Sequence, residues 1–338
     1  MKEVRVALIG YGGIAHAHAK GYEILAAQGA PVRLVAALDI DQKRFSGTVE
    51  INTGAGAAGL PLGARAYTSV EALLEKEEFD MVDICLPTYL HKEYAIRFLK
   101  MGKHVLSEKP MALSYADCRE MLDAAEESGC RLMIGQCLRF NAVYEYLKAC
   151  CDGRYGKLRR LVMRRLSLMP DWGFENWFAD ASRSGGCLLD MHIHDVDMAR
   201  YLLGEPKACS CFSINAGVLD DQVQHSHLFY DGCDVLIDGS WDEVKGVPFS
   251  SGFRARFEGA EVIADRGTVT VYEVGKTPFT AELPTVNHMA AEIAFLADLI
   301  LNPDAVNTKN PPESAAATVR LIERLRESAR LGAEKITL

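Results

Sequence analysis

Five short apolar runs recur across the first 135 or so residues, separated by stretches long enough for helices. They are Val4–Ile9, Val32–Asp39, "FDMVDICLP" ending at Pro87, "HVLSEKP" ending at Pro110, and "RLMIGQ" over 131–136. Strands that alternate with helices pair in parallel through right-handed crossovers. Runs that are apolar throughout, rather than at alternate positions, suit a sheet covered on both faces. Helix starts are marked by Thr68 with Glu71 and by Ser114 with Asp117, both capping-box patterns. Residues 1–135 are therefore expected to form a doubly wound parallel-sheet α/β domain. Residues 53–66, "TGAGAAGLPLGARA", read as a flexible loop by composition.

The pattern changes after a helix expected near Phe140 to Cys151. Asp231-Gly232, Glu258-Gly259 and Arg266-Gly267 sit between strand-like runs, the spacing of hairpins in an antiparallel sheet. One helix is expected over Leu188–Leu203, stopped by Gly204, and two more between about Val286 and Leu331. Residues 136–338 thus read as a second, α+β domain on an open, mostly antiparallel sheet. A chain of 338 residues is in any case too long for one ordinary core.

Composition narrows the function classes. A net charge of −9 disfavours a nucleic-acid partner. No apolar run approaches the roughly 18 residues of a membrane span, and the N-terminal stretch ends in glycines rather than a cleavage site. The ten cysteines form no C-x-x-C pair, so they read as free thiols in a reducing cytoplasm.

The first strand runs into "GYGGIA". Gly10, Gly12 and Ala15 make G-x-G-x-x-A at a helix start, with Gly13 and Ile14 completing the loop. Glycines permit the tight turn and let a pyrophosphate reach backbone N–H groups at the helix N-terminus. Asp39 ends the second strand, where a carboxylate can hold the adenosine ribose hydroxyls. That carboxylate would repel a 2′-phosphate, so NAD is expected over NADP. Ligands in such sheets sit beyond the carboxyl ends of the strands. Pro87-Thr88 and Glu108-Lys109-Pro110 lie at two of those ends.

Here the chain resembles the glucose–fructose oxidoreductase/inositol dehydrogenase/rhizopine-catabolism family of NAD(P)-dependent oxidoreductases. The resemblance rests on "ALIGYGGIAHAHA", "CLPTYLH" with His91, "GKHVLSEKPMA", "LRF" at 138–140, "SGGCLLDMHIHDVDMARYLLG" and "ESARLGAEKITL". It covers almost the whole chain and implies a Rossmann domain followed by a substrate-binding and oligomerisation domain. It implies a cofactor site at the glycine loop, Asp39, Pro87, Thr88, His91, Glu108 and Lys109, and a catalytic set of Lys109, Asp190 and His194. Arg139, Asp171, Trp172 and Arg183 are candidates for substrate contact; Trp177 reads as core. Ala142, where relatives often carry proline, and the extra histidine His192 depart from the pattern.

On a continuous helix, Asp190 and His194 lie about 40° apart and His192 about 200° from each. His192 then falls on the apolar side, as a packed and hydrogen-bonded histidine. The expected activity is hydride transfer between NAD and a secondary alcohol of a sugar, sugar derivative or cyclitol, by a cytoplasmic homo-dimer or homo-tetramer without a metal. Two alternatives are a dinucleotide-binding regulator without turnover and a metal hydrolase using His192, His194, His225 and His227.

Overall fold

The computed structural model describes residues 2–46, 50–51, 54–55, 59–214 and 222–338. The chain folds as two compact units. One gathers Met1–Cys137, Asp171–Trp177 and Val286–Ala317; the other gathers Leu138–Pro170, Phe178–Thr285 and Thr318–Leu338.

The first unit is built on a sheet of β1 (Val4–Ile9), β2 (Val32–Leu38), β5 (Arg65–Tyr67), β6 (Met81–Ile84), β7 (His104–Glu108) and β8 (Leu132–Gly135); β3 (Glu50–Ile51) and β4 (Gly54–Ala55) form a separate ribbon. The strand order is β5-β2-β1-β6-β7-β8, with every neighbour parallel. The order steps outward from β1 in both directions, the mark of a doubly wound fold. The central strands are apolar along most of their length, Arg5 and Asp83 apart, because both faces are covered. Helices α1 (Gly13–Ala27), α2 (Val70–Lys76), α3 (Thr88–Lys100) and α4 (Tyr115–Ser128) connect them. Ser114 caps α4, its hydroxyl accepting the Asp117 N–H at 3.1 Å, as expected. The cap of α2 is Ser69, which accepts from Ala72, and not Thr68. Residues 53 and 56–58 of the expected loop lie outside the described residues. Its end is not loop, because Arg65 and Ala66 belong to the edge strand β5, paired to β2.

The second unit carries α5 (Ala142–Cys151), α6 (Ala181–Ser184), α7 (Gly186–Asp190) and α8 (Ile193–Leu203) and a nine-stranded sheet. The strands are β9 (Leu158–Leu166), β10 (Ala208–Ile214), β11 (Val223–Tyr230), β12 (Cys233–Ser240), β13 (Ser250–Phe257), β14 (Ala260–Asp265), β15 (Thr268–Glu273), β16 (Phe279–Thr280) and β17 (Ile336–Thr337). They run in the order β16-β15-β14-β13-β9-β12-β11-β10-β17, antiparallel except for β12 beside β9. All three expected hairpin turns are present. At Arg266-Gly267 both residues have positive φ, 47° and 82°, which matches the right-handed twist of the strands. Helices α7 and α8 pack on one face of the central strands. The other face mixes apolar groups such as the exposed Phe212, Ile214 and Tyr272 with ion pairs Arg160–Asp234 (3.4 Å), His227–Asp234 (2.9 Å), His225–Asp238 (2.5 Å) and Arg164–Asp265 (3.2 Å).

Helix α9 (His288–Leu301) returns to the first unit. Its Ala290, Ile293, Leu296, Ala297 and Ile300 join the core made by β1, β2 and α1. The approach is close at Gly21 of α1, where an added Cβ would lie 3.1 Å from both the Ala290 nitrogen and Ile293 Cδ1. Two further ties hold this segment: Asn310 donates to the Ile134 carbonyl at 2.7 Å, and Arg131 to the Pro303 carbonyl at 2.5 Å. The last helix, α10 (Pro312–Arg330), buries Val319, Ile322 and Leu325.

Candidate active site

Strand β1 leads into Gly10, whose φ of +86° and whose packing both require glycine: a Cβ there would stand 2.8 Å from the Cys85 carbonyl oxygen. Gly12 caps α1 without a side chain, and the first turn holds no acid, so the helix N-terminus keeps its N–H groups for an anion. A Cβ at Gly12 would meet nothing within 4 Å. That open approach to backbone is what a pyrophosphate needs, so the loop fits a dinucleotide. Asp39 is half-buried beside it. Its Oδ2 accepts the Tyr11 N–H at 2.8 Å and its Oδ1 the Asp41 N–H at 2.9 Å. Each oxygen retains a lone pair for a ribose hydroxyl. Ile40, the next residue, is exposed and offers no cation to a 2′-phosphate.

Pro87 caps α3 and Thr88 opens it, buried. The Lys109–Pro110 bond is cis. Lys109 is half-buried at the carboxyl end of β7, and its backbone N–H donates to Glu108 Oε2 at 3.1 Å. His91, expected among the cofactor contacts, is 1% exposed. Its Nδ1 lies 2.8 Å from the Pro110 carbonyl oxygen and its Nε2 2.8 Å from that of Leu86. Burial pushes its pKa below the ordinary value, while the two carbonyls act the other way. Each ring nitrogen faces a backbone carbonyl, so His91 packs against the turn that carries Lys109.

Sequence reasoning missed a buried network beneath this turn. His18 of α1 places Nδ1 2.9 Å from Asp83 Oδ2 and Nε2 2.9 Å from Glu108 Oε1. The Tyr22 hydroxyl also donates to Asp83 Oδ2, at 2.9 Å. Asp83 stands in the middle of the apolar run "MVDIC". A carboxylate in a strand buried on both faces demands a partner, and that was the available signal.

In the second unit, the helix expected over Leu188–Leu203 is two helices. The N–H groups of Met191 and His192 both donate to the Cys187 carbonyl, at 3.0 and 2.9 Å, so the turn widens to an i→i−5 bond. It then tightens, with His194 N–H donating to Met191 oxygen at 3.3 Å. The break corrects the angles reckoned for one straight helix. His192 sits in it, fully buried, with Nε2 2.8 Å from Ser226 Oγ. Gly239 gives it room: a Cβ there would fall 2.4 Å from His192 Nδ1. The packed, hydrogen-bonded reading of His192 agrees with this. Burial, with weaker help from His225 and Arg165, pushes its pKa down to about 3. Ser226 points toward His192, so the alternation of β11 sends His225 and His227 to the opposite face. The four histidines of the metal reading are therefore not brought together.

Asp190 is buried and His194 half-buried on either side of the break. The two acids of α8 are held by guanidinium groups. Arg139 meets Asp197 through Nε at 2.8 Å and Nη2 at 2.6 Å, and lies 4.8 Å from the centre of the Tyr201 ring. Arg165 meets Asp195 through Nε and Nη2, both at 3.0 Å. Arg139, expected to touch substrate, is 1% exposed and engaged with Asp197, so it locks α8 in place instead. Arg183 is half-buried, Asp171 exposed, Trp172 half-buried and Trp177 buried.

Known proteins were compared with this chain. Residues 4–136 match the model described as the oxidoreductase family, NAD-binding Rossmann fold, and residues 144–270 match the GFO/IDH/MocA C-terminal domain. Inositol 2-dehydrogenase of Rhizobium meliloti is 32% identical over 236 residues, 69% of this chain and 64% of that one. A 2,7-anhydro-N-acetylneuraminate hydratase of Escherichia coli is 37% identical over 139 residues, 41% of this chain and 37% of its own. The chain thus spans less than two thirds of the length of these curated relatives. Among solved structures, aldose-aldose oxidoreductase from Caulobacter crescentus superposes with a TM-score of 0.82 at 23% identity, over 99% of this chain and 100% of the other. The glycine loop and Asp39 make residues 4–136 an NAD-binding domain in geometry as well as in sequence. With both halves matched in order, the chain belongs to the GFO/IDH/MocA oxidoreductase family.

Proposed function

We propose that this protein is an NAD-dependent dehydrogenase that oxidises a secondary alcohol of a sugar, sugar derivative or cyclitol. The observation that carries the reading is the first unit's own: an open glycine loop, a ribose-ready Asp39, and Lys109 held at the carboxyl end of the neighbouring strand by Glu108. The curated relatives include an inositol 2-dehydrogenase and a levoglucosan dehydrogenase, which supports a polyol or sugar substrate.

Gly10, Gly12, Gly13 and Ile14 would hold the pyrophosphate, Asp39 the adenosine ribose, and Pro87, Thr88, Glu108 and Lys109 the nicotinamide side. When bound, the cofactor supplies the hydride acceptor. The chain's task is the proton. His194 is proposed as the base, because a neutral imidazole can take the hydroxyl proton near neutral pH. The Lys109 ammonium favours the developing alkoxide. Asp190 orients the imidazole or holds a neighbouring hydroxyl. Asp171, Trp172 and Arg183 remain the proposed substrate contacts. Residues 1–135 are proposed as the cofactor domain and 136–338 as the substrate and oligomerisation domain. The mixed charges on the open sheet face suit pairing of copies into a homo-dimer or homo-tetramer. Among the described residues no helix is long and apolar enough to cross a membrane, and we place the protein in the cytoplasm.

The test is a panel of sugars, anhydrosugars and inositols scored for NADH production. On the substrate found, Lys109→Ala and His194→Ala should each lower kcat by roughly 10²-fold or more. A protein that binds NADH yet turns over nothing in the panel would favour the regulator. Near-normal kcat in His194→Ala would remove that residue from the proposed set.

A further inference from the structure

Lys109 is only as well placed as the turn that carries it, and the turn rests on Glu108. The Glu108 carboxyl is buried, with Oε2 taking the Lys109 N–H and Oε1 facing His18 Nε2 at 2.9 Å. His18 itself is 0% exposed. Its other nitrogen faces Asp83 Oδ2, which also receives the Tyr22 hydroxyl. Both carboxylates act as acceptors toward third groups, the Tyr22 O–H and the Lys109 N–H. An imidazole placed between two acceptors satisfies both only when each ring nitrogen carries a proton.

We propose that His18 is a positioning residue for Lys109: a buried imidazolium that, clamped between Asp83 and Glu108, fixes the Glu108–Lys109 turn. The proposal rests on the reading that Lys109 acts on the substrate. The titratable groups around His18 come from every neighbouring element: Tyr22 on its own helix, Asp83 and Cys85 from β6 and its end, Glu108 from β7, and His288 at the start of α9. Burial opposes the charge on His18, but Asp83 and Cys85 together outweigh it and hold the imidazole well above its ordinary pKa. Burial would likewise raise Glu108, yet its bond to His18 holds it below the usual carboxylate range. His18, Asp83 and Cys85 also lie within 4.8 Å of one another, the spacing of a metal site. Hydrogen bonds to Asp83 and Glu108 already occupy both nitrogens of His18, which leaves it no lone pair to offer a metal. A proton-bearing clamp, not a metal, accounts for the cluster.

The geometry suggests a substitution that leaves every charge in place. A Cβ on Gly135 of β8 would stand 3.0 Å from Glu108 Oε1, so Gly135→Ala should press that carboxylate aside and loosen its bond to His18. Displacements of about an ångström at a catalytic group can cost up to ~10²-fold in rate. His18→Gln should therefore lower kcat by roughly tenfold or more, and Gly135→Ala should lower it in the same direction by less. The direct readout needs no substrate. In ¹⁵N-histidine-labelled protein, one imidazole, assigned by its loss in His18→Gln, should show both nitrogens protonated at pH 7.5 to 8.5, with and without NADH. A neutral tautomer of His18 in the wild type would overturn the proposal, as would a stoichiometric metal in the purified protein. Wild-type kcat in His18→Gln, or in Gly135→Ala should His18→Gln not fold, would overturn it as well. Because the spectrum is read without substrate, a wrong substrate class leaves the clamp intact, and a neutral His18 leaves the dehydrogenase reading intact.

Discussion

Acid should unfold this protein partly through His192. The imidazole is fully buried, bonded to Ser226, and held at a pKa of about 3, chiefly by burial. The unfolded chain titrates this group near 6.5. Above that pH both states are neutral and His192 costs nothing. As pH falls below 6.5 the unfolded state takes a proton that the folded state refuses, so stability is lost steadily until the folded value is reached. Each pH unit in that window is worth ~1.4 kcal/mol, so moving from pH 7.5 to pH 5 removes about 2 kcal/mol, and the loss approaches ~5 kcal/mol at pH 3. His192→Gln cannot titrate but can still reach Ser226. Urea unfolding of both proteins at pH 7.5, 6 and 5 isolates the contribution, since every other titrating group is present in both. The wild type should lose about 2 kcal/mol more than the variant between the outer two values. Parallel pH profiles for the two proteins would refute the reasoning.

Three other outcomes follow from the structure. Wild type should bind NADH more tightly than NADPH, and Asp39→Ala should narrow the gap by roughly tenfold, the worth of one good hydrogen bond to a charged group; fluorescence titration reads it. Asp197→Ala removes the carboxylate that meets the buried Arg139 guanidinium and should cost about 3–5 kcal/mol in urea unfolding, because a charge taken from water loses its counter-ion. Gly21→Val overfills the contact with Ala290 and Ile293 and should cost about 1–3 kcal/mol, with little effect on a substrate's KM in folded protein.

The first sheet was readable from its sequence because its strands are buried on both faces and so are apolar at nearly consecutive positions. Hairpins were readable because Asp231-Gly232 and Arg266-Gly267 supply the backbone that two-residue turns demand. The glycine loop and Asp39 were readable because one turn carries most of the geometry. What could not be read depends on distant partners. The break at Met191–His192 is stabilised by Ser226 and by the bare backbone of Gly239, far along the chain. Arg139 looked like a substrate ligand until Asp197, 58 residues on, was seen to take its guanidinium. His18 gave no local sign of its partners, which lie 65 and 90 residues away.

The closure of α1 by α9 has a consequence in time. The first sheet's strands are complete by Gly135, yet Ile293, Leu296 and Ile300, which cover α1, are made some 160 residues later. At ordinary synthesis rates of about 5–20 residues per second, the gap is roughly ten to thirty seconds. For that interval the emerging cofactor domain holds an apolar helix face open on the ribosome. During synthesis, then, the glycine loop exists before its supporting helix is covered, and the nascent chain depends on not meeting another copy of itself, or on a chaperone, until α9 arrives.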